Sequence, residues 1–181
     1  MIKYAHLLAI FSALFICISP ARAENYSGIG LGLFQLDAGV GKKSTFGTFL
    51  QLGNDFMPYL GAEIRVGTTA KATKNNEKMQ MEWLVAHYLK PKFDVSDDFV
   101  LYGLAGFAVN HTSLQVSTAN KLKKTNISLS YGIGAQASIG DHFRLGAEWV
   151  RYARKTDAAL RTTSFQGLSA DGFVGTLQYL F

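Results

Sequence analysis

"NISLSYGIGAQASI", residues 126–139, divides into two sets at every second position. Ile127, Leu129, Tyr131, Ile133, Ala135, Ala137 and Ile139 form one set; Asn126, Ser128, Ser130, Gly132, Gly134, Gln136 and Ser138 form the other. Successive side chains of a strand point to opposite faces, so the stretch predicts a strand with one apolar face and one polar or small face. The same division runs through "YLGAEIRVG" (59–67), where Leu60, Ala62, Ile64 and Val66 oppose Tyr59, Gly61, Glu63, Arg65 and Gly67. It returns in "FRLGAEWV" (143–150), "YSGIGLGLF" (26–34) and "TFGTFLQL" (45–52). Two segments, "MQMEWLVAHYLK" (79–90) and "FVLYGLAGFAV" (99–109), are more evenly apolar. In the first, Met81, Trp83, Val85 and Leu89 are assigned to the apolar wall and Glu82 to the opposite face. With the closing segment, the chain divides into eight strands, at about 26–37, 44–53, 59–68, 79–90, 99–110, 126–139, 143–153 and 167–181. Each is close to or above the roughly 9–11 residues that cross a bilayer on a tilt.

The start of the chain reads differently. Lys3, an apolar run over 5–18 and the small-x-small site Ala21-Arg22-Ala23 predict a secretory leader over 1–23, cleaved after Ala23, which leaves 24–181 as one domain. The apolar run is shorter than the roughly 20 residues of a spanning helix. Cys17 follows Ile16 rather than the small residue that lipid attachment requires. It is the sole cysteine of the 181 residues, so no disulfide framework supports the domain, and backbone pairing and burial must do so. Past residue 23 no uninterrupted apolar run reaches spanning length, so a membrane-inserted form must cross as strands.

The connections alternate in length. "NDFMP" (54–58), "PKFDVSDD" (91–98) and "GDH" (140–142) are short, whereas the others, above all 69–78, 111–125 and 154–166, are mostly longer and polar. Short turns at one end and long loops at the other are the layout of an outer-membrane barrel with periplasmic turns, extracellular loops and both termini in the periplasm. A soluble ligand-binding barrel would show the same alternation with its faces reversed. The length of the apolar face, the interfacial aromatics, the connection pattern and the terminal Phe181 favour the membrane. The predicted fold is all-β, an eight-stranded antiparallel up-and-down transmembrane β-barrel.

The closing stretch "GFVGTLQYLF" (172–181) sets Phe173, Gly175, Leu177, Tyr179 and Phe181 outward. A strand in lipid must pair all its backbone groups, so the last strand has to close against the first. A terminal Phe after alternating apolar residues resembles the signal read by the bacterial barrel-assembly machinery. "YLKPKF" (88–93), the acidic turn after it, "LYGLAGF" (101–107) and "YLGAEIRVG" resemble the strand pattern of the small eight-stranded porin-like and opacity-type family, which shares its barrel with the transmembrane part of OmpA. The resemblance covers all of 24–181. It implies a monomer in the Gram-negative outer membrane, surrounded by outer-membrane lipid and lipopolysaccharide, with the assembly machinery as its partner during insertion.

Glu63, Arg65, Glu82, Arg144 and Glu148 would then project into a lumen that, at eight strands, is only wide enough for side chains. Opposite charges there neutralise one another, which favours a structural plug over a polar pathway. Inward glycines relieve crowding, and "GIGLG" opens no helix, which excludes a dinucleotide site. The extracellular connections carry Lys71, Lys74, Lys121, Lys123, Lys124, Arg154 and Lys155, while the periplasmic turns carry Asp55, Asp94, Asp97, Asp98 and Asp141. This basic rim, with Arg151 just past the interfacial Trp149, predicts contact with lipopolysaccharide phosphates. No base-stacking motif accompanies the lysines, so nucleic acid is not expected.

His111-Thr112-Ser113 matches the His-x-Ser pair of one lipid A hydrolase among the small outer-membrane barrels. The match lies at the end of a strand in a polar loop, not on the penultimate strand, and no carboxylate follows in an orienting position. The chain is therefore expected to be non-enzymatic. His87 and His142 read as interfacial residues, and without a histidine and carboxylate cluster at metal spacing neither metal nor cofactor is expected. The expected function is envelope integrity or surface interaction through the basic loops. Adhesion to an external surface or host ligand, and lipid A modification, are the alternatives.

Overall fold

A computed structural model describes residues 24–37, 42–74, 77–117, 120–153 and 169–181. The leader assigned to 1–23 lies outside the described residues. The chain forms β1 (Glu24–Asp37), β2 (Lys42–Met57), β3 (Leu60–Thr69), β4 (Ala72–Lys74), β5 (Glu77–Ser96), β6 (Phe99–Ser117), β7 (Asn120–Ile139), β8 (Phe143–Ala153) and β9 (Ser169–Leu180). All pairings are antiparallel and follow the order β3-β2-β1-β9-β8-β7-β6-β5-β4, closed by β3 on β5. β3 and the short β4 both pair with β5 and share one stave, so the closed barrel has eight staves. The last strand meets the first from Tyr26 opposite Leu180 to Asp37 opposite Ser169.

The faces settle which way round the alternation runs. Phe46 (71% exposed), Ile133 (68%) and Phe173 (69%) stand on the outer wall, while Arg65 (1%) and Lys90 (0%) are enclosed. Apolar residues cover the outside of every stave. That belt far exceeds the apolar patch of a soluble monomer, and suits a barrel whose solvent is hydrocarbon. At the periplasmic edge, Tyr179 packs against Phe143 (5.4 Å between ring centroids), His142 (5.8 Å) and Phe181 (6.4 Å), forming part of an interfacial girdle.

Three expectations need correction. First, residues 111–117 and 120–125 are strand and not loop: β6 and β7 stay paired from Phe99 opposite Ala137 to Ser117 opposite Asn120, with one register shift between Gln115 and Ser117. Backbone pairing carries the staves past the apolar belt, where polar side chains conceal a strand from a hydropathy reading. Second, two of the three periplasmic connections are tighter than expected, while the third falls at 140–142 as expected. β2 runs to Met57 and β5 to Ser96, which leaves only residues 58–59 and 97–98 as turns; Gly140, with φ 62°, turns β7 into β8.

Third, Met81 is fully buried on the inner face instead of standing on the wall. The β5–β6 register shifts between Met81 and Trp83, so a bulge reverses the parity at Glu82. Side chains from β3 complete the pairing there. Thr68 Oγ1 donates to the carbonyls of Met81 (3.2 Å) and Glu82 (2.9 Å), and the Met81 amide donates to Thr69 Oγ1 (3.0 Å).

Inward glycines receive aromatic rings. A Cβ on Gly30 would overlap the Phe49 ring, whereas one on the outward Gly103 would meet nothing closer than Pro91 Cγ at 3.4 Å. Gly30→Val should therefore cost the refolded barrel about 1–3 kcal/mol by overpacking, while Gly103→Ala stays within about 0.5 kcal/mol of the parent. Urea-unfolding midpoints in detergent micelles check the pair, and equal midpoints would refute the ring-on-glycine account.

Candidate functional site

The middle of the lumen is a charged layer built from facing staves. Arg65 on β3 and Glu148 on β8 stand four staves apart, on opposite sides of the barrel. The guanidinium spans that diameter: Nη2 donates to Glu148 Oε2 at 2.8 Å, Nη1 pairs with Glu148 Oε1, and Nε pairs with Glu63 on its own strand. Its faces lie against the rings of Phe49 (4.5 Å) and Tyr88 (5.2 Å). Such stacking suits a planar, weakly hydrated cation removed from water.

Lys90 supplies the second cation. Its Nζ lies 3.7 Å from Glu63 Oε2, donates to Gln136 Oε1 at 3.0 Å and to the Tyr26 hydroxyl at 3.3 Å, and sits over the rings of Tyr26 and Tyr102. Tyr26 donates to Glu63 Oε2 (2.7 Å) and Tyr102 to Glu148 Oε2 (2.9 Å). Two carboxylates thus face two cations, and the tyrosines supply further donors to the carboxylates. A buried ion cluster is tolerable only when neutralised and hydrogen-bonded in this way.

The structure brings together only part of the polar set expected in the lumen. Glu63, Arg65 and Glu148 meet in the central layer. Arg144 lies below them at the periplasmic mouth, where it donates to Asp55 Oδ2 (3.0 Å) and pairs with Glu24; Lys92 lies 2.8 Å from the same Asp55 oxygen. Glu82, turned aside by the bulge, does not join the lumen cluster. Its carboxylate lies 3.7 Å from His111 Nε2 and 3.5 Å from Lys123 Nζ. Lys90 was not among the residues expected in the lumen, although it lies two residues from Tyr88 and the alternation that turned Trp83, Val85 and Leu89 outward already turned it inward.

At the extracellular end the described cations differ in their surroundings. Lys42, Lys71, Lys123 and Lys124 are exposed. Arg151 is held by Asp171 through contacts of 2.6 and 3.2 Å, lies 3.4 Å from the Tyr131 hydroxyl, and rests against the Trp149 ring at 5.4 Å. Asp171 was not singled out in the sequence, being separated from Arg151 by an entire connection. The side chains of Lys74 and Lys121, with Arg154 and Lys155, lie outside the described residues. On the outward face of β9, Phe173, Leu177 and Tyr179 stand exposed with Gly175 between them, and Phe181 follows the strand.

His111 does not address Ser113. Its Nδ1 lies 2.8 Å from Thr125 Oγ1, Nε2 faces Glu82, and the ring stacks on Trp83 at 5.8 Å and 6°. Among the described residues no group of three or more histidines, cysteines and carboxylates could hold a metal ion.

Residues 8–181 match the sequence profile of the outer membrane protein beta-barrel domain. Comparison with curated protein sequences gives no match. The fold is similar to that of Ail, the attachment invasion locus protein of Yersinia pestis, solved in complex with the heparin analogue sucrose octasulfate (TM-score 0.61, 16% identity, 88% of this chain and 99% of that one). It is also similar to Neisserial surface protein A (TM-score 0.70, 12% identity, 87% and 97%) and to OprG of Pseudomonas aeruginosa (0.54, 11%, 90% and 97%).

Arg65→Met should cost about 3–5 kcal/mol, because it strands Glu63 and Glu148 beside a single cation in the lumen. Adding Glu148→Gln should recover part of that loss, since the double variant restores the charge balance. Urea titration of both variants measures the coupling, and a double variant no more stable than the single would count against the cross-barrel pair.

Proposed function

Because the chain belongs to the outer membrane protein β-barrel domain family, and so is a protein of the Gram-negative outer membrane, we propose that it is a monomeric, non-enzymatic barrel whose basic extracellular rim binds polyanionic saccharides. Lipopolysaccharide of its own membrane is the first such ligand, and binding it supports envelope integrity.

The observation that carries this reading is the opposite charge of the two ends. Lys42, Lys71, Lys123 and Lys124 are exposed at the extracellular end, and Asp94, Asp97, Asp98 and Asp141 at the periplasmic end. Cations attract an anionic surface by about 1 kcal/mol each within a Debye length. The heparin analogue bound to Ail, a barrel of similar fold, supports a polysulfated or phosphorylated saccharide as the ligand class. An adhesive role at an external surface or host ligand would use the same lysines. The contacts of His111 with Thr125 and Glu82 favour a structural histidine over a lipid A hydrolase base paired with Ser113. On the same reading residues 1–23 are a cleaved leader, and the outward face Phe173, Gly175, Leu177, Tyr179 and Phe181 is the segment that the barrel-assembly machinery reads.

Replacing Lys71, Lys123 and Lys124 together by glutamine should weaken binding of the purified barrel to lipopolysaccharide and to heparin by about 100-fold at low salt, three cations at about 1 kcal/mol each. The remaining binding should also depend less steeply on salt. Unchanged affinity would overturn the reading. Lipid A from cells with and without the protein should show the same acyl pattern by mass spectrometry, and an altered pattern would return His111 to consideration. Deleting Phe181 should lower the amount of barrel in the outer membrane; a normal level would refute the assembly role.

A further inference from the structure

Below the central charged layer the inner face carries buried polar atoms without partners. Both carboxamide atoms of Gln51, Gln178 Oε1 and Thr176 Oγ1 have no hydrogen-bond partner among the described residues, and each of these side chains is at least 97% buried. They lie side by side. Gln51 and Gln178 are the β2 and β9 partners of Gly28, and Thr176 is paired with Gly30 in the next row. Gln178 is also opposite Arg144, whose partner Asp55 at the periplasmic mouth keeps a buried Oδ1 without a partner. The orphaned groups therefore descend along one side of the lumen, from beside Arg65 to the mouth.

The extracellular half carries a buried apolar cluster, into which Lys43 and Thr45, the β2 partners of Leu36 and Phe34, also project. Phe34 stacks on Tyr152 at 5.5 Å, and both belong to one buried apolar cluster with Leu36, Met79, Met81 and Val174. Asn110 and Asn126, each with an orphaned amide nitrogen, are paired with each other on β6 and β7 and stand apart from the Gln51 row.

Leaving a buried amide or hydroxyl unpaired costs about 1–3 kcal/mol, and adjacent polar groups of this kind are the usual hosts of internal water. We propose that the β2-β1-β9 side of the lumen is a one-ended water site: water enters from the periplasm, is held by Gln51, Thr176 and Gln178 up to the Arg65 layer, and is stopped there by the apolar layer above. Two carboxamides and a hydroxyl offer both donors and acceptors and carry no charge, which fits water and not an ion. The barrel is thus hydrated from one end and does not conduct. The inference is independent of what the extracellular rim binds.

The sole cysteine is Cys17, so residues 24–181 offer a thiol-free background. Single cysteines at Gln51, Thr176 and Gln178, and matched ones at Leu36, Met79 and Met81, are compared in barrels purified from outer membranes into micelles, where both mouths meet the reagent. The water-site positions should react with a small water-soluble methanethiosulfonate within about 100-fold of an exposed Lys71→Cys control, and the apolar positions at least about 100-fold more slowly still. Matching the two sets controls for the space that each smaller side chain opens. Water-site cysteines as protected as the apolar ones would show a dry lumen, and apolar cysteines as reactive as those of the water site would show an open one; either overturns the proposal. Thr176→Cys is nearly isosteric and carries the hydration test if the glutamine variants fail to assemble. The unaltered protein carries the other half: it should give no discrete conductance in planar bilayers, and conductance steps would overturn the apolar stop.

Discussion

Hydrocarbon offers a backbone amide nothing to bond to, and the architecture follows from that single deficiency. A strand that enters lipid must pair along both edges, which only a closed sheet allows. β9 therefore meets β1 along nearly its whole length. The same demand explains the irregular stave formed by β3 and β4. Where its ladder with β5 lapses between Gly67 and Ala72, the side chains of Thr68, Thr69 and Gln80 supply the donors and acceptors that the backbone lacks. Closing at eight staves then fixes a bore so narrow that side chains must fill it.

Filling that bore explains why glycine and aromatic residues dominate the inner face together. The rings of Tyr26, Phe49 and Tyr102 lie over Gly53, Gly30 and Gly134, each in space that a Cβ would occupy. These same rings cover Lys90 and Arg65 with their π faces. Glycine makes room for the ring, and the ring makes a buried cation tolerable. One packing device thus serves both volume and electrostatics.

How far the sequence could be read depended on the range of each interaction. The outer wall was legible because its signal is local: parity at Ile127, Leu129, Ile133 and Phe173 needs no knowledge of a neighbouring strand. Parity failed at Met81 and Glu82, where one extra residue inverts the faces and only the partner strand reveals it. Glu63, Arg65 and Glu148 could be assigned inward, but their pairing crosses the barrel between residues 83 apart, beyond any periodicity. Asp171 was missed for the same reason, whereas the inward facing of Lys90 follows from the alternation of its own strand and only its pairing with Glu63 is long-range. The strand ends at 111–117 and 120–125 were hidden differently: above the membrane neither face need be apolar, so a paired strand leaves no hydropathy trace.

The balance inside the barrel bears on what its ends can do. In the central layer Arg65 and Lys90 face Glu63 and Glu148; at the periplasmic mouth Arg144 and Lys92 face Asp55 and Glu24. Each of these two layers is neutral, so together they add little to the field outside. What remains is set by the rims, basic where the chain meets the outer leaflet and acidic where it meets the periplasm. Steering by net charge acts over distances that contacts do not reach. A neutral core thus leaves the long-range field of the barrel to its two oppositely charged rims.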